Sequence, residues 1–231
     1  MFANVNGVQL FYTVEGEGPD MILLHGNGED HTIFERSLFF LKNHFTVYSI
    51  DSRGHGQSSP VSEYHYSDMT EDVHQFISKL GLDKPALVGF SDGGIIGLLL
   101  ASKYPDDLSK MIVCGANTNP DALKGFSMNR MRKNPRSMED PLTRLMLTEP
   151  HITASDLSRI KIDTLVVAGS RDCIDESDTD FICNNIPKST KCIVKHASHD
   201  SYIHDEVAFC QIVLSYFDLS EYKKDKVRTK K

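Results

Sequence analysis

The chain has 231 residues, of which 40% are hydrophobic and 25% charged, and its formal net charge is −7. This composition is that of an ordinary globular protein, and the negative charge argues against a body that binds nucleic acid. No apolar run approaches the roughly 18 residues that a membrane span needs, so no membrane partner is expected.

The N-terminal part predicts a hairpin followed by alternating strands and helices. The dipeptide Asn6-Gly7 favours a two-residue turn, and the strand after it is predicted over 9–14. A stripe of apolar residues at helical spacing predicts a helix that Gly81 closes: Met69, Val73, Phe76, Ile77 and Leu80. Between the hairpin and this helix, apolar stretches predict strands at 21–25 and 45–50 and a helix at 32–43.

The C-terminal part continues the same alternation. Strands are predicted at 111–114, 164–169 and 191–195. One last helix is predicted from the stripe Ile203, Val207, Cys210, Leu214 and Phe217. Strands that alternate with helices predict an α/β fold, in which a mostly parallel sheet has helices on both faces.

The segment 117–162 departs from this alternation. It is rich in methionine, arginine and proline, and its length of about 45 residues fits two or three short helices. Its methionines either form an adaptable apolar wall over a site or only seal the segment against the core. Met128 and Met146 are the candidates for such a wall.

The stretch Gly89-Phe90-Ser91-Asp92-Gly93-Gly94 carries the strongest signal for chemistry. It joins a short buried strand at 85–88 to a helix at 95–101 that is apolar on all sides. A G-x-S-x-G turn in that setting is typical of a nucleophile elbow, where side chains in place of the glycines would clash and the tight turn lifts the serine hydroxyl above the sheet edge. Ser91 is therefore the predicted nucleophile.

A serine hydroxyl needs a base within hydrogen-bond reach, and that base needs a carboxylate to orient it. His199 and Asp172 are predicted for these roles because each follows a strand, where open α/β sheets place their sites. Activity is then expected to rise with pH through a midpoint near ~6.5–7, as His199 becomes neutral. Rival assignments are Asp163 and Asp175 for the acid, and His196 and His204 for the base.

These residues resemble those of the α/β-hydrolase superfamily, whose catalytic groups also follow the order Ser, Asp, His. The resemblance covers nearly the whole chain up to the His199 loop. The motifs that carry it are His25-Gly26-Asn27-Gly28, the stretch 51–58, the elbow at 89–94, Lys103-Tyr104-Pro105 and Gly115-Ala116-Asn117. From the elbow onward these motifs look most like the biphenyl-hydrolase-like, or valacyclovir-hydrolase, branch.

The resemblance implies roles for further groups. The oxyanion hole would use the N–H of Asn27, in the first glycine-rich loop, and the N–H of Asp92, directly after the nucleophile. His25 is expected to be structural. Arg53 and His55 are expected to brace their loop, because that loop recurs in family members of many activities. No cofactor and no metal are expected.

The resemblance also implies a division of the chain. The segments 1–116 and 163–221 would form the hydrolase core, and 117–162 would be a small helical cap inserted into it. Residues 222–231 form a basic stretch that is expected to be a flexible tail.

Four residues are candidate substrate contacts: Asp92, Phe90, Met128 and Met146. A carboxylate at Asp92, one residue past the nucleophile, would favour substrates with an ammonium group. The alternative is that Asp92 only stabilises the first turn of its helix through the macrodipole and needs no ligand.

The number and spacing of the cysteines indicate the redox state of the compartment in which the protein works. Their number is odd and their spacing shows no pairing, so reduced thiols are expected at Cys114, Cys173, Cys183, Cys192 and Cys210. Cys173, next to Asp172, either lines the mouth of the pocket or only packs in the interior. The N-terminus lacks the basic and apolar regions of a signal peptide. Together these features predict a soluble protein of the cytoplasm.

The sequence therefore predicts a serine hydrolase that cleaves a small ester, thioester or amide through an acyl-enzyme. Two alternatives stay open. The same triad could cleave a carbon–carbon bond in a vinylogous diketone, or the chain could be a ligand-binding member of the fold without turnover.

Overall fold

The computed structural model describes residues 1–217, apart from the side chains of 126–128. A single sheet organises this part of the chain. Its strands are β1 (Phe2–Val5), β2 (Val8–Glu15), β3 (Asp20–Leu24), β4 (Thr46–Ile50), β5 (Ala86–Phe90), β6 (Lys110–Cys114), β7 (Asp163–Gly169) and β8 (Ser189–Val194). Their order in space is β1-β2-β4-β3-β5-β6-β7-β8. The pairs β1–β2 and β2–β4 are antiparallel. From β4 onward in this spatial order, every neighbouring pair is parallel.

Helices cover both faces of the sheet. They are α1 (Glu35–Leu41), α2 (Tyr66–Leu80), α3 (Asp92–Lys103), α4 (Phe126–Lys133), α5 (Pro141–Thr148), α6 (Ala154–Leu157), α7 (Glu176–Asn185), α8 (Ser201–His204) and α9 (Glu206–Tyr216). One buried cluster includes residues of α2, α3, α6 and α7, and the second includes residues of α1, α8 and α9. The predicted α/β fold with a mostly parallel, doubly covered sheet is confirmed.

The N-terminal hairpin closes as the dipeptide predicts. Val5 pairs with Val8, so the turn consists of Asn6 and Gly7 alone. Both residues have positive φ, 43° and 79°, which is the conformation that a tight hairpin turn requires and that Asn and Gly tolerate best.

The end of the chain differs from the prediction of one continuous last helix. Two helices, α8 and α9, meet at Asp205, whose extended backbone interrupts the helical path. The Asp205 carboxylate accepts hydrogen bonds from the N–H groups of Val207 and Ala208 and so begins a new helix. As a result Val207, a member of the predicted apolar stripe, is 38% exposed.

The segment between β6 and β7 carries α4, α5 and α6, in line with the two or three short helices expected there. Two ionic contacts join it to the elements beneath. The Nη2 of Arg144 lies 2.6 Å from the Oε2 of Glu63, and the Oε1 of Glu149 lies 2.6 Å from the Nδ1 of His65. Glu149 also accepts a hydrogen bond from the N–H of Tyr66, the first residue of α2. The division into core and cap stays a prediction, and the basic stretch 222–231 lies outside the described residues.

A buried ion pair fixes the loop after β4. The Arg53 guanidinium donates to both carboxylate oxygens of Asp72 on α2, at 2.7 and 2.6 Å, and the Asp72 side chain is 2% exposed. Asn6 of the hairpin donates to the same carboxylate at 3.0 Å. This pair therefore ties the hairpin, the loop and α2 together, which agrees with a bracing role for Arg53.

Across residues 1–217 no helix is both long and apolar enough to cross a bilayer.

Replacing Arg53 by methionine should lower the free energy of unfolding by about 3–5 kcal/mol, because Asp72 would keep a buried charge without its partner. Equilibrium urea denaturation measures this loss. Lys42→Met is the control, since the Lys42–Glu15 pair is well exposed and its loss should cost no more than about 1 kcal/mol. Equal losses in the two variants would contradict the bracing role.

Candidate active site

The nucleophile elbow has the geometry that the glycines predict. Ser91 lies between the end of β5 and the start of α3 and has a φ of 50°. A Cβ on Gly89 would overlap the Gly93 carbonyl, and one on Gly93 would overlap the carbonyl of Leu24. The N–H of Ser91 donates to the Cys114 carbonyl of the neighbouring strand at 2.8 Å, which holds the turn against the sheet.

The three residues predicted as a triad lie in one hydrogen-bonded chain. The Nε2 of His199 is 3.1 Å from the Ser91 Oγ, and its Nδ1 is 2.7 Å from the Oδ1 of Asp172. The side chain of Asp172 is 3% exposed, whereas that of His199 is 23% exposed. The acid is thus enclosed and the imidazole opens toward solvent, an arrangement that suits proton transfer from a serine to a base.

Electrostatics couples the acid and the base. Burial alone would lower the pKa of His199, but the hydrogen bonds to Asp172 and Cys173 and the electrostatic attraction of these two side chains together outweigh it and raise that pKa above the ordinary histidine value. Burial alone would raise the pKa of Asp172, but hydrogen bonds from His199 and from the Ile174 N–H bring it below the usual aspartate value. Neutral His199 is therefore expected at a pH above the 6.5–7 that the sequence predicts.

The rival residues lie elsewhere or have other partners. Asp175 accepts a hydrogen bond from the N–H of Ser177 and caps α7. Asp163 is exposed at the first position of β7, the end of the strand opposite to Asp172. His196 and His204 are both exposed, and neither is hydrogen-bonded to Ser91 or Asp172.

The loop after β3 is held on both sides of Asn27. The N–H of Gly26 donates to Glu29 Oε2 at 2.9 Å, and the N–H of Gly28 donates to His55 Nε2 at 3.2 Å. Asp92 is the first residue of α3, so its N–H is one of the amides that a helix leaves without an internal partner. Both predicted oxyanion donors thus lie on segments fixed next to the elbow.

The side chains of His25 and His55 form hydrogen bonds with backbone groups of these loops. His25 is 1% exposed, and its burial lowers its pKa to about 4, so that its Nε2 stays an acceptor for the Ser52 N–H. His55 donates through Nδ1 to the Arg53 carbonyl while its Nε2 accepts from Gly28. These contacts agree with the structural roles expected for His25 and His55.

The carboxylate of Asp92, the residue after Ser91, is buried. One oxygen accepts from the Tyr66 hydroxyl at 2.7 Å and the other from the Asn27 side chain at 3.0 Å. Burial raises the pKa of Asp92, and these two hydrogen bonds oppose that effect. The carboxylate therefore anchors both the start of α2 and the loop that carries Asn27.

A cleft of about 430 Å³ opens over Ser91. Of the four candidate substrate contacts, Phe90 and Met146 line it, the buried Asp92 does not, and the side chain of Met128 lies outside the described residues. Its other lining side chains belong to Asn27, Glu29, Leu123, Arg171, Cys173, Ser198, His199 and Asp200. The sequence analysis missed the three charged residues among them, Glu29, Arg171 and Asp200, and also Leu123 and Ser198. Each of the three charged residues is adjacent to a motif or triad residue in the sequence, so that proximity was a usable signal.

Two groups of side chains among the described residues have metal-ligating chemistry. Asp172, Cys173 and His199 form one, and Asp30, His31 and Asp51 form the other. In the second group, Asp51 is fully buried and its two oxygens already accept from His31 and from the N–H of Gln57. That carboxylate therefore links two loops and needs no ion.

Comparison with known proteins shows the family. The model of the α/β hydrolase fold matches residues 19–142, which is more than half of the chain. The human serine hydrolase BPHL is 30% identical over an alignment 233 residues long, gaps included. The alignment covers 86% of this chain and 79% of that protein. The chain therefore belongs to the α/β-hydrolase fold family, and its resemblance to the biphenyl-hydrolase-like branch is confirmed.

Solved structures show the same fold over most of the chain. An enol-lactonase from Burkholderia xenovorans LB400 has a TM-score of 0.80 at 22% identity and covers 94% of this chain and 100% of its own. A meta-cleavage product hydrolase from Pseudomonas fluorescens IP01 has a TM-score of 0.78 at 18% identity, with coverages of 95% and 98%. At these identities the similarity concerns the architecture alone.

Replacing Asp172 by asparagine should lower the pKa of His199, because the amide keeps the shape of the side chain but removes the negative charge that stabilises the imidazolium. An NMR titration of the histidine ring protons measures this pKa, and His199→Gln identifies the resonance. Asp175→Asn, a neighbouring carboxylate whose side chain is 29% exposed, is the control and should leave the titration unchanged. The same His199 pKa in the wild type and Asp172→Asn would contradict the coupling.

Proposed function

We propose that this α/β hydrolase is a serine hydrolase that cleaves a small ester, thioester or amide through an acyl-enzyme. The observation that carries the proposal is the hydrogen-bonded chain from Ser91 through His199 to Asp172, at 3.1 and 2.7 Å. The strained backbone at Ser91 and the position of all three residues after parallel strands support it as well.

Each residue takes one step of the mechanism. His199 accepts the proton of Ser91 as the hydroxyl oxygen attacks the substrate carbonyl, and Asp172 stabilises the imidazolium that forms. The N–H groups of Asn27 and Asp92 donate to the oxyanion. His199 then gives its proton to the leaving group. A water molecule, activated by the same imidazole, releases the acyl group and restores Ser91.

The cleft sets the size of the substrate. Its volume of about 430 Å³ is near the lower end for small-molecule sites, which span roughly 300–1,000 Å³. Phe90, Leu123 and Met146 give it an apolar wall, and the charged groups stand at Glu29, Arg171 and Asp200. A compact substrate with an apolar portion fits this lining. The alternative of carbon–carbon cleavage uses the same groups, and parallel assays with an ester and a vinylogous diketone separate the two.

The proposal includes a reducing compartment, such as the cytoplasm. All five cysteines lie within the described residues, and no disulfide joins any two of them. Structural disulfides are rare in proteins that work among glutathione and thioredoxin.

A fluorophosphonate probe should form one adduct per chain, on Ser91, because only an activated serine in a working oxyanion site attacks the phosphorus. Intact mass followed by peptide mapping measures this. Ser91→Ala should abolish labelling and lower turnover by a factor on the order of 10⁶. His196→Ala is the control and should label at the rate of the wild type. An unlabelled wild type would favour the ligand-binding alternative over the enzyme.

Asp92 is proposed to favour substrates that carry an ammonium group, through the charge that it holds beside the nucleophile. Asp92→Asn keeps the shape and removes the charge, so it should lower kcat/KM for an α-amino ester more than for its desamino analogue. The ratio of the two values is the measurement. An unchanged ratio would show that Asp92 does not select the substrate and only holds Tyr66 and Asn27 in place.

A further inference from the structure

Cys173 lies in the cleft beside the two residues that activate Ser91. It follows Asp172 directly in the chain and lines the same cavity as His199. The ligand atoms of Asp172, Cys173 and His199, a carboxylate oxygen, a sulfur and an imidazole nitrogen, all lie within 4.8 Å of one another. The proposed reaction uses the acid and the base but has no task for the thiol.

The three groups are held in place from several directions. The carbonyl of Cys173 accepts from the Lys124 N–H at 2.7 Å, and the next residue, Ile174, forms a β-bridge with Leu123. The Asp172 carboxylate accepts from the Ile174 N–H at 3.0 Å. The sulfur therefore stands on a short segment that is fixed at both ends, and little ordering is needed to bring the three ligands together.

This set of ligands matches the preferences of zinc. Zn²⁺ binds thiolate at about 2.3 Å and imidazole at about 2.0 Å, which places sulfur and nitrogen about 3.5 Å apart in a tetrahedral site. The sulfur and the nitrogen therefore need to approach by at most about 1.3 Å to reach that separation. A side-chain rotation of the partly exposed imidazole is enough for such a shift, and water from the cleft completes the coordination.

We propose that Asp172, Cys173 and His199 form an inhibitory site for Zn²⁺, or for another soft divalent cation. Coordination releases the thiol proton to solvent and uses the lone pair of a neutral imidazole, so an imidazolium at His199 first gives its extra proton to solvent. If the ion takes Nε2, the acceptor for the Ser91 proton is lost. If it takes Nδ1, the remaining ring proton lies on Nε2, so the hydrogen bond to Asp172 and the acceptor for the Ser91 proton are both lost. This inference rests on the proposed function insofar as the inhibited reaction is the attack of Ser91.

The charges around the cleft favour a cation there. Glu29 and Asp200 both line the cavity, and Asp172 adds a third carboxylate, against the guanidinium of the exposed Arg171 and, when it is protonated, the imidazole of His199. The Glu29 carboxylate is close enough to His199 for the two to interact electrostatically. A divalent cation entering the cleft therefore meets a net negative site.

The test uses the full-length protein and the rate at which the fluorophosphonate probe labels Ser91. We expect zinc chloride to slow labelling of the wild type and a chelator to restore it. Magnesium chloride at the same concentration should have no effect, because Mg²⁺ prefers oxygen ligands and keeps its water.

Cys173→Ser is the decisive variant. Each variant is compared with its own rate without metal, and the Zn²⁺ concentration for half-inhibition should rise at least about tenfold in Cys173→Ser. Cys183→Ser, a partly exposed cysteine of α7, is the matched control and should respond as the wild type does. Equal sensitivity of the wild type and Cys173→Ser, or a loss of sensitivity in Cys183→Ser, would overturn the site.

Zinc binding is measured in parallel by competition with a chromogenic chelator. Loss of one bound Zn²⁺ in Cys173→Ser supports the site even if Ser91 never reacts with the probe, and in that case only the proposed function fails. Retention of that ion in Cys173→Ser would refute the site whether or not the protein is a hydrolase.

Discussion

The turn at Ser91 closes only because Gly89 and Gly93 carry no side chains. Any Cβ at these positions would overlap a backbone carbonyl, and Ser91 itself takes a positive φ that costs on the order of 1–3 kcal/mol. The surrounding structure holds that strain, because β5 pairs with strands on both sides and α3 is buried almost all round. The hydroxyl therefore has a fixed place at the carboxyl edge of the sheet. The imidazole, the carboxylate and the oxyanion loop are all positioned relative to it.

The loops around this hydroxyl are fixed by contacts between them as well as by contacts within them. His55, from the loop after β4, accepts the N–H of Gly28 in the loop after β3. Arg53 binds that same β4 loop to α2 through Asp72. Asp92 then joins the first residue of α2 to Asn27. Residues distant in the sequence thus form one polar layer over the carboxyl ends of the central strands, and the nucleophile belongs to it.

Much of this arrangement was predictable, because it depends on local rules. The hairpin follows from Asn6-Gly7, and the elbow follows from glycines placed between a buried strand and a buried helix. The order of Ser91, Asp172 and His199 then indicated which residues would meet. Other features depend on tertiary contacts that periodicity does not carry. Asp205 divides the last helix because its carboxylate caps a new one. Leu123 lines the cleft from the segment after β6, and no motif near it in the sequence indicates this.

Glu149 connects the segment between β6 and β7 to the surroundings of Ser91. Its carboxylate binds the amide that starts α2, and the side chain of that same residue, Tyr66, reaches the Asp92 carboxylate next to the nucleophile. This segment therefore helps to position the residues beside Ser91 and does more than cover the cleft. A chimera that takes its insert from a relative without an acidic side chain at this position would loosen the start of α2. Such a graft would change the surroundings of Ser91 as well as the shape of the cleft, so this segment and the elbow depend on each other.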